Sequence, residues 1–296
     1  MSQLLAALVS GVAEGVPFFL AAAGLSLIFG VMGILNFAQG GLFMLGAFVM
    51  RTLLAGNQSS FLVFILAILA AGVAMAILGA IFERTLFSQT YQAGPHALIG
   101  ILVSFGLLLA ITGFVPYVWG QSALSQEPPK IIGGRINFFG AVMTQYTFFL
   151  LICGAVIVLG MWLLLDKSRF GKTIVAVATD RQMASALGIR SANVSIAVFA
   201  LAGGLAGVGG ALIAPIASID VTVGQSYLLY AFVAMTIGGL GSIPGTFIGA
   251  MIIGIVDSLF VNYFPAMQPF AAYLAAIVVL IIRPRGIFPG AATRAA

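Results

Sequence analysis

Charge is what this sequence has least of. Only 6% of its 296 residues are Asp, Glu, Lys or Arg, and 62% are hydrophobic. Soluble domains carry about 25% charged residues, so 19 charged side chains (12 basic plus 7 acidic) are too few to give this length a water-facing surface. Lipid must be the solvent for most of the exterior. Histidine and cysteine are nearly absent too, with one of each. His96 and Cys153 cannot supply the usual ligands of a zinc site, and no Ser-His-acid set is available. Cys153 cannot form an internal disulfide, and its place in an apolar run predicts a packing role. An ATP-binding loop is missing as well. Gly171-Lys172-Thr173 has Asp166 where that loop needs its first glycine, and the glycine is required because backbone N–H groups must cradle phosphate. Ordinary metal, nucleophilic and ATPase chemistry are thereby disfavoured for this chain.

What fills the sequence instead is apolar runs of membrane-spanning length, about 20 residues each. They lie near 4–34, 38–56, 61–82, 97–119, 146–165, 195–216, 226–261 and 269–282. The seventh is too long for one crossing and is interrupted by Gly238-Gly239-Leu240-Gly241-Ser242-Ile243-Pro244-Gly245, which allows two helices and a turn. The expected fold is all-α: one domain over residues 1–296, a polytopic bundle of eight or nine transmembrane helices with Gly-interrupted segments. Met1-Ser2-Gln3 bring no Lys or Arg ahead of the first run, so it lacks a signal peptide's charged region and is expected to be retained as a span.

The sparse charges orient the bundle. Asp166 to Val194 holds Lys167, Arg169, Lys172, Arg181 and Arg190 against Asp166 and Asp180, five minus two, or +3. Arg283, Arg285 and Arg294 follow the last run, and Arg84 and His96 flank the loop after Glu83. The positive-inside rule places all three stretches in the cytoplasm and 120–145 outside. The basic residues are scattered between apolar runs, so the net charge of +5 reflects this bias and predicts no nucleic-acid binding.

Few groups are left that can act at depth. Glu14 and Asp257 interrupt apolar runs, where ionisable groups are costly, and Asp220 falls at the outer end of another. The spacings Gly11-x-x-x-Gly15, Gly203-x-x-x-Gly207 and Gly245-x-x-x-Gly249 predict close helix contacts. Two Gly-rich interruptions, one in each half, point to a transport pathway. Around the first, Asn36, Phe37, Gln39, Gly40, Phe43 and Met44 are pathway candidates; around the second, Gly238, Gly239, Gly241 and Ser242. Asn36 and Gln39 could equally bond substrate or satisfy unwound backbone. In the basic segment, 178–189 reads as a short cytoplasmic helix. Thr179 and Gln182 are spaced as a capping box, Gly188 suits its C-terminal end, and Met183, Ala184 and Leu187 share a face. Its small apolar face suits partner docking better than membrane anchoring.

The stretch Gly24-Leu25-Ser26-Leu27-Ile28-Phe29-Gly30-Val31-Met32-Gly33-Ile34-Leu35-Asn36-Phe37-Ala38-Gln39-Gly40 resembles the signature of branched-chain amino-acid ABC transporter permeases of the Liv type, H subunit. The resemblance continues from Gly171-Lys172 to Gly188-Ile189, at Gly238 to Gly245, and at Arg283-Pro284-Arg285-Gly286-Ile287-Phe288. It implies a subunit of the bacterial inner membrane that pairs with a second homologous permease. Two cytoplasmic ATPase subunits would bind ATP, leaving no cofactor on this chain, and a periplasmic solute-binding protein would deliver substrate. Thr179, Asp180, Arg181, Gln182, Met183, Ala184, Leu187 and Gly188 match the coupling helix. Gln39 stands where the family often has His, and Gly41 where it often has an acid, which leaves urea, amides and aromatic carboxylates as alternative cargoes.

Overall fold

The computed structural model describes residues 2–55, 60–90, 96–138, 141–284 and 286–288. The helices are α1 (Ser2–Met32), α2 (Ala38–Leu54), α3 (Phe61–Phe82), α4 (Ser88–Thr90), α5 (His96–Trp119), α6 (Gln145–Trp162), α7 (Arg169–Thr179), α8 (Arg181–Ala186), α9 (Ser191–Ile213), α10 (Val223–Gly238), α11 (Ile243–Tyr263) and α12 (Ala271–Ile282). Wider π turns extend α3 through Glu83–Phe87 and α6 through Leu163–Lys167, and a 3₁₀ turn, Pro265–Phe270, precedes α12.

Seven of these segments are long and apolar enough to cross a bilayer, and two shorter apolar helices, Ala38–Leu54 and Val223–Gly238, join them. Seven plus two makes nine crossings among the described residues, at the upper end of the expected count. The long seventh run is two helices, α10 and α11. One feature departs from the all-α expectation: 120–145 contains a small antiparallel hairpin, β1 (Arg135–Phe138) with β2 (Ala141–Thr144).

α1 and α9 form the centre. Both are largely buried, and glycine lets their neighbours come close. A Cβ on Gly11 would lie 2.6 Å from Ile255 Cα in α11, and one on Gly207 would lie 2.6 Å from the Ala71 carbonyl oxygen in α3. Gly245 and Gly249 hold α11 against the backbone of Gly238 and Ala234 in α10. All three small-residue spacings therefore act as helix contacts. Lipid-length helices with exposed Leu, Ile, Val and Phe, chiefly on α3, α5, α6 and α12, form the outside.

The ends sort by charge. The turn 239–242 lies beside the tail, because Ile287 N donates to Ile237 O and Phe288 N to Gly238 O, both at 2.9 Å. That end also carries Arg84, the basic α7–α8 segment and Arg283. At the other end, Leu124 pairs with Ile219, and Trp119 Nε1 donates to Thr52 Oγ1 at 2.7 Å. With the basic end cytoplasmic, nine alternating crossings put the start of α1 on the outer side, which the sequence alone left open.

This arrangement is checked with two cysteines in a Cys153→Ala background. Leu187→Cys, at a site 75% exposed, is expected to resist an impermeant maleimide in intact cells and to label after permeabilisation. Lys130→Cys should label from outside. Swapped labelling would invert the topology. Ser191, the obvious alternative inner position, is unsuitable because it is 8% exposed and its Oγ lies 2.7 Å from Ser185 Oγ.

Candidate functional site

The first interruption begins where α1 ends at Gly33, with a φ of +66° that favours glycine. The chain is then non-helical until α2. Unwound backbone in a membrane needs partners, and here side chains of this segment and of neighbouring helices supply them. Asn36 Oδ1 accepts from Ala38 N at 3.1 Å. Phe37 N donates to Ser104 Oγ at 3.1 Å, and that hydroxyl donates in turn to Ile101 O at 2.8 Å. Gln39 Nε2 reaches Ala202 O in α9 at 2.8 Å. Asn36 and Gln39 are 1% and 0% exposed, so of the two roles open to them, backbone and helix satisfaction is the one their contacts display. Gln39 Oε1 has no partner. Gly40 lets α2 cross Gly224 of α10. Phe43 stacks on Tyr227 with centroids 4.7 Å apart, and Met44 is fully buried. Phe37 is the partly open member. With Phe232 and Phe105, centroids 5.3 and 5.8 Å away, it forms an aromatic patch over Leu25, Leu108, Leu228 and Met235.

The second interruption is a tight turn. Gly239 and Gly241 have φ of +105° and +77°, and Ser242 Oγ caps α11 by accepting from Gly245 N at 3.3 Å. The carbonyls orphaned at the end of α10 are those met by Ile287 N and Phe288 N, so the tail closes the turn from below. Gly241 faces Gly30 of α1; a Cβ there would lie 3.2 Å from Gly30 Cα. Gly241 and Ser242 line a cavity of about 640 Å³ with Ser26 and Gly30. None of Asn36, Gln39, Phe43 or Met44 lines it. Both interruptions adjoin α1 and α10, but among the described residues the first does not contribute to the cavity at the second.

The cytoplasmic segment is ordered by its own caps. α7 lays Gly171, Ile174 and Val177 against the bundle. The cap of α8 corrects the sequence reading. Thr179 is the last residue of α7, and its hydroxyl donates back to Val175 O at 2.9 Å. Asp180 is the N-cap, its Oδ1 accepting from Gln182 N and Met183 N, each at 2.9 Å. Aspartate outranks threonine at this position, and the sharp α7–α8 corner removes Thr179 from competition. Gly188 closes the helix with φ of +87°, as expected. Arg181 Nη2 donates to Ser195 Oγ at 3.3 Å, holding α8 to the start of α9. The expected three-residue face divides: Ala184 is 3% exposed and packs inward, whereas Met183 and Leu187 are 59% and 75% exposed.

A third polar group lies toward the outer end. Asp257 Oδ1 accepts from Gln268 Nε2 at 2.9 Å and from Tyr230 Oη at 3.4 Å, and Glu14 is within electrostatic reach. Asp257 is thus hydrogen-bonded inside the bundle. Asp220, just ahead of α10 at the outer end, accepts from Thr222 N at 2.7 Å and from Val223 N at 3.1 Å. His96 opens α5, but its side chain is outside the described residues.

A polytopic bundle with two broken segments and a structured cytoplasmic knob has the layout of a transport permease. A family described as "Branched-chain amino acid transport system / permease component" matches residues 7–283, and the chain belongs to it. The chain is 28% identical over 292 residues to the high-affinity branched-chain amino acid transport system permease protein BraD of Pseudomonas aeruginosa, covering 95% of this chain and 94% of that protein. It is 26% identical over 289 residues to the corresponding LivH of Escherichia coli, covering 94% and 93%. PsaBC from Streptococcus pneumoniae, solved in complex with a Fab, shares the fold at a TM-score of 0.51 and 15% identity, covering 99% of this chain and 94% of that one.

Proposed function

We propose that this chain is the membrane permease of an ATP-driven importer in the bacterial inner membrane, and that its cargo is a branched-chain or other hydrophobic amino acid. The observation that carries the reading is α8. It is a capped, braced helix that offers Met183 and Leu187 to the cytoplasm, where apolar side chains gain most from a partner's groove. Two ATPase subunits would dock there and bind the ATP. A second, similar permease would complete the membrane unit, and a periplasmic binding protein would deliver cargo to the outer end.

The neutral character of both interruptions supports a zwitterionic cargo. Asn36, Gln39 and Ser242 are polar without charge, and no Lys or Arg adjoins them in sequence. A lone anion at low dielectric costs several kcal/mol even after relaxation, whereas a zwitterion offsets part of its own field. The partly open Phe37 gives an apolar tail something to contact.

Reconstituted vesicles test this. The chain with its ATPases, second permease and binding protein should accumulate leucine only when ATP is enclosed on the α8 side. Uptake by the chain alone would make it a channel or secondary transporter. ATP-driven uptake that leucine fails to inhibit but urea or an aromatic carboxylate does would keep the importer and replace the cargo.

A further inference from the structure

The seam between α1, α6 and α11 holds two cavities that meet, and α7 adds Gly171, Ile174, Val175 and Ala178 to the wall of the cytoplasmic one. One, about 640 Å³, is at the cytoplasmic end and carries the polar groups Ser26, Ser242 and Asp166 among apolar walls. The other, about 490 Å³, continues toward the outer side and is lined by Val12, Val16, Leu151 and Met251, with no titratable residue. Val158, Trp162 and Phe247 border both. The seam is therefore polar at the cytoplasmic end and apolar inward, the polarity of a phospholipid in the inner leaflet.

Its dimensions agree. α1 and α6 run in the same direction, and Val16 packs on Gly154. Ten residues further along α1, Ser26 lines the same cavity as Trp162. At ~1.5 Å per residue the drop from Val16 to Ser26 is ~15 Å, half of a ~30 Å hydrocarbon core. Ser26 Oγ is fully buried and has no hydrogen-bond partner. An unmet hydroxyl in an apolar wall is costly, and an ester carbonyl at that depth would accept from it.

The mouth is basic. Asp166 is the charged side chain among the lining residues, and the exposed Lys167, Arg169 and Lys172 flank the lining residues Asp166 and Gly171 in sequence, three minus one. Lys167 Nζ lies 5.2 Å from the Trp162 ring centroid. Basic pockets between helices on the cytoplasmic side suit anionic headgroups.

We propose that this groove is a binding site for an anionic phospholipid of the cytoplasmic leaflet, with the acyl chain along Val158 to Val12, an ester oxygen at Ser26, and the phosphate near Arg169 and Lys172. The proposal does not depend on the transported cargo.

Trp162 reports on the site. Trp119, the chain's second tryptophan, lies at the opposite end, so Trp119→Phe leaves one indole at the mouth. The full chain is placed in phosphatidylethanolamine vesicles with small fractions of brominated phosphatidylglycerol or brominated phosphatidylcholine. Brominated phosphatidylglycerol should quench at a several-fold lower mole fraction, roughly fivefold for each basic side chain that reaches the headgroup. Arg169→Gln with Lys172→Gln should abolish that preference and keep Lys167 over the indole. Ala155→Phe, which fills the apolar cavity, should reduce quenching by brominated phosphatidylglycerol to the phosphatidylcholine level. In the complementary Trp162→Phe protein, Trp119 should not discriminate between the lipids. Equal quenching of Trp162 by both lipids, or quenching by neither because protein covers the seam, would overturn the proposal.

Discussion

Leu187→Asp is expected to abolish ATP-coupled uptake, by a hundredfold or so, in a protein that inserts and folds normally. The side chain is 75% exposed, so a carboxylate there stays solvated in the free subunit and disturbs no packing. A partner groove changes the comparison. Burying a leucine contributes about 1.5–3 kcal/mol, and replacing it by an unpaired charge costs several kcal/mol more. Together these exceed the ~2.7 kcal/mol that separates a hundredfold difference in occupancy. Because α8 is tied to α9 through Arg181 and Ser195, a displaced ATPase would lose its grip on the membrane core as well as its own contact. The measurement is leucine uptake beside ATP hydrolysis in the reconstituted transporter, with hydrolysis continuing at its basal rate. Met183→Asp, on the same open surface, should behave alike. Ala184→Asp should instead fail at folding, because Ala184 is 3% exposed. Normal coupled uptake in Leu187→Asp would show that α8 is not the docking element.

The sequence revealed more of the scaffold than of the site, for a physical reason. Membrane helices announce themselves by local composition, and the Gly238–Gly245 interruption is itself a local signal, so nine crossings were within reach. Asn36 was legible as polar, but the unwound backbone on either side of it depends on Ser104, which meets Phe37 N and Leu35 O and which, as a lone serine in an apolar run, carries no signal. The tail block Arg283 to Phe288 resembled the family's without a reason; the reason is three-dimensional, since Ile287 and Phe288 complete the hydrogen bonds of α10. Asp257 needed Gln268 across a turn, and Ser26 sat in the signature as one more small residue. The cap of α8 was misassigned by one position because Thr179 and Asp180 are both acceptable caps, and only the corner after α7 chooses between them.

The glycines test the scaffold itself. Gly207→Val is expected to prevent accumulation of folded protein, whereas Gly106→Ala on α5 should be tolerated. Sequence separates the two positions only by spacing: Gly207 lies four residues after Gly203, and Gly106 has no glycine at that distance. At Gly207 three helices converge. A Cβ would lie 2.6 Å from Ala71 O and 2.7 Å from Met75 Cβ of α3, and the Gly207 backbone already receives Gly46 of α2, whose own Cβ would lie 2.7 Å from Gly207 Cα. On the α3 side the nearest obstacle is a carbonyl oxygen, which cannot rotate away as a side chain can, so a helix would have to move. A single added methyl, Gly207→Ala, should cost about 1–3 kcal/mol, measurable as a lowered Tm in detergent. Valine adds two more carbons against the same backbone, in a protein whose total stability is of order 5–15 kcal/mol. At Gly106 nothing lies within 4 Å of an added Cβ, and alanine removes some freedom from the unfolded chain, so Tm should hold or rise slightly. If both alanine variants shift Tm equally, the α2–α3–α9 junction is not the close contact that sets this core.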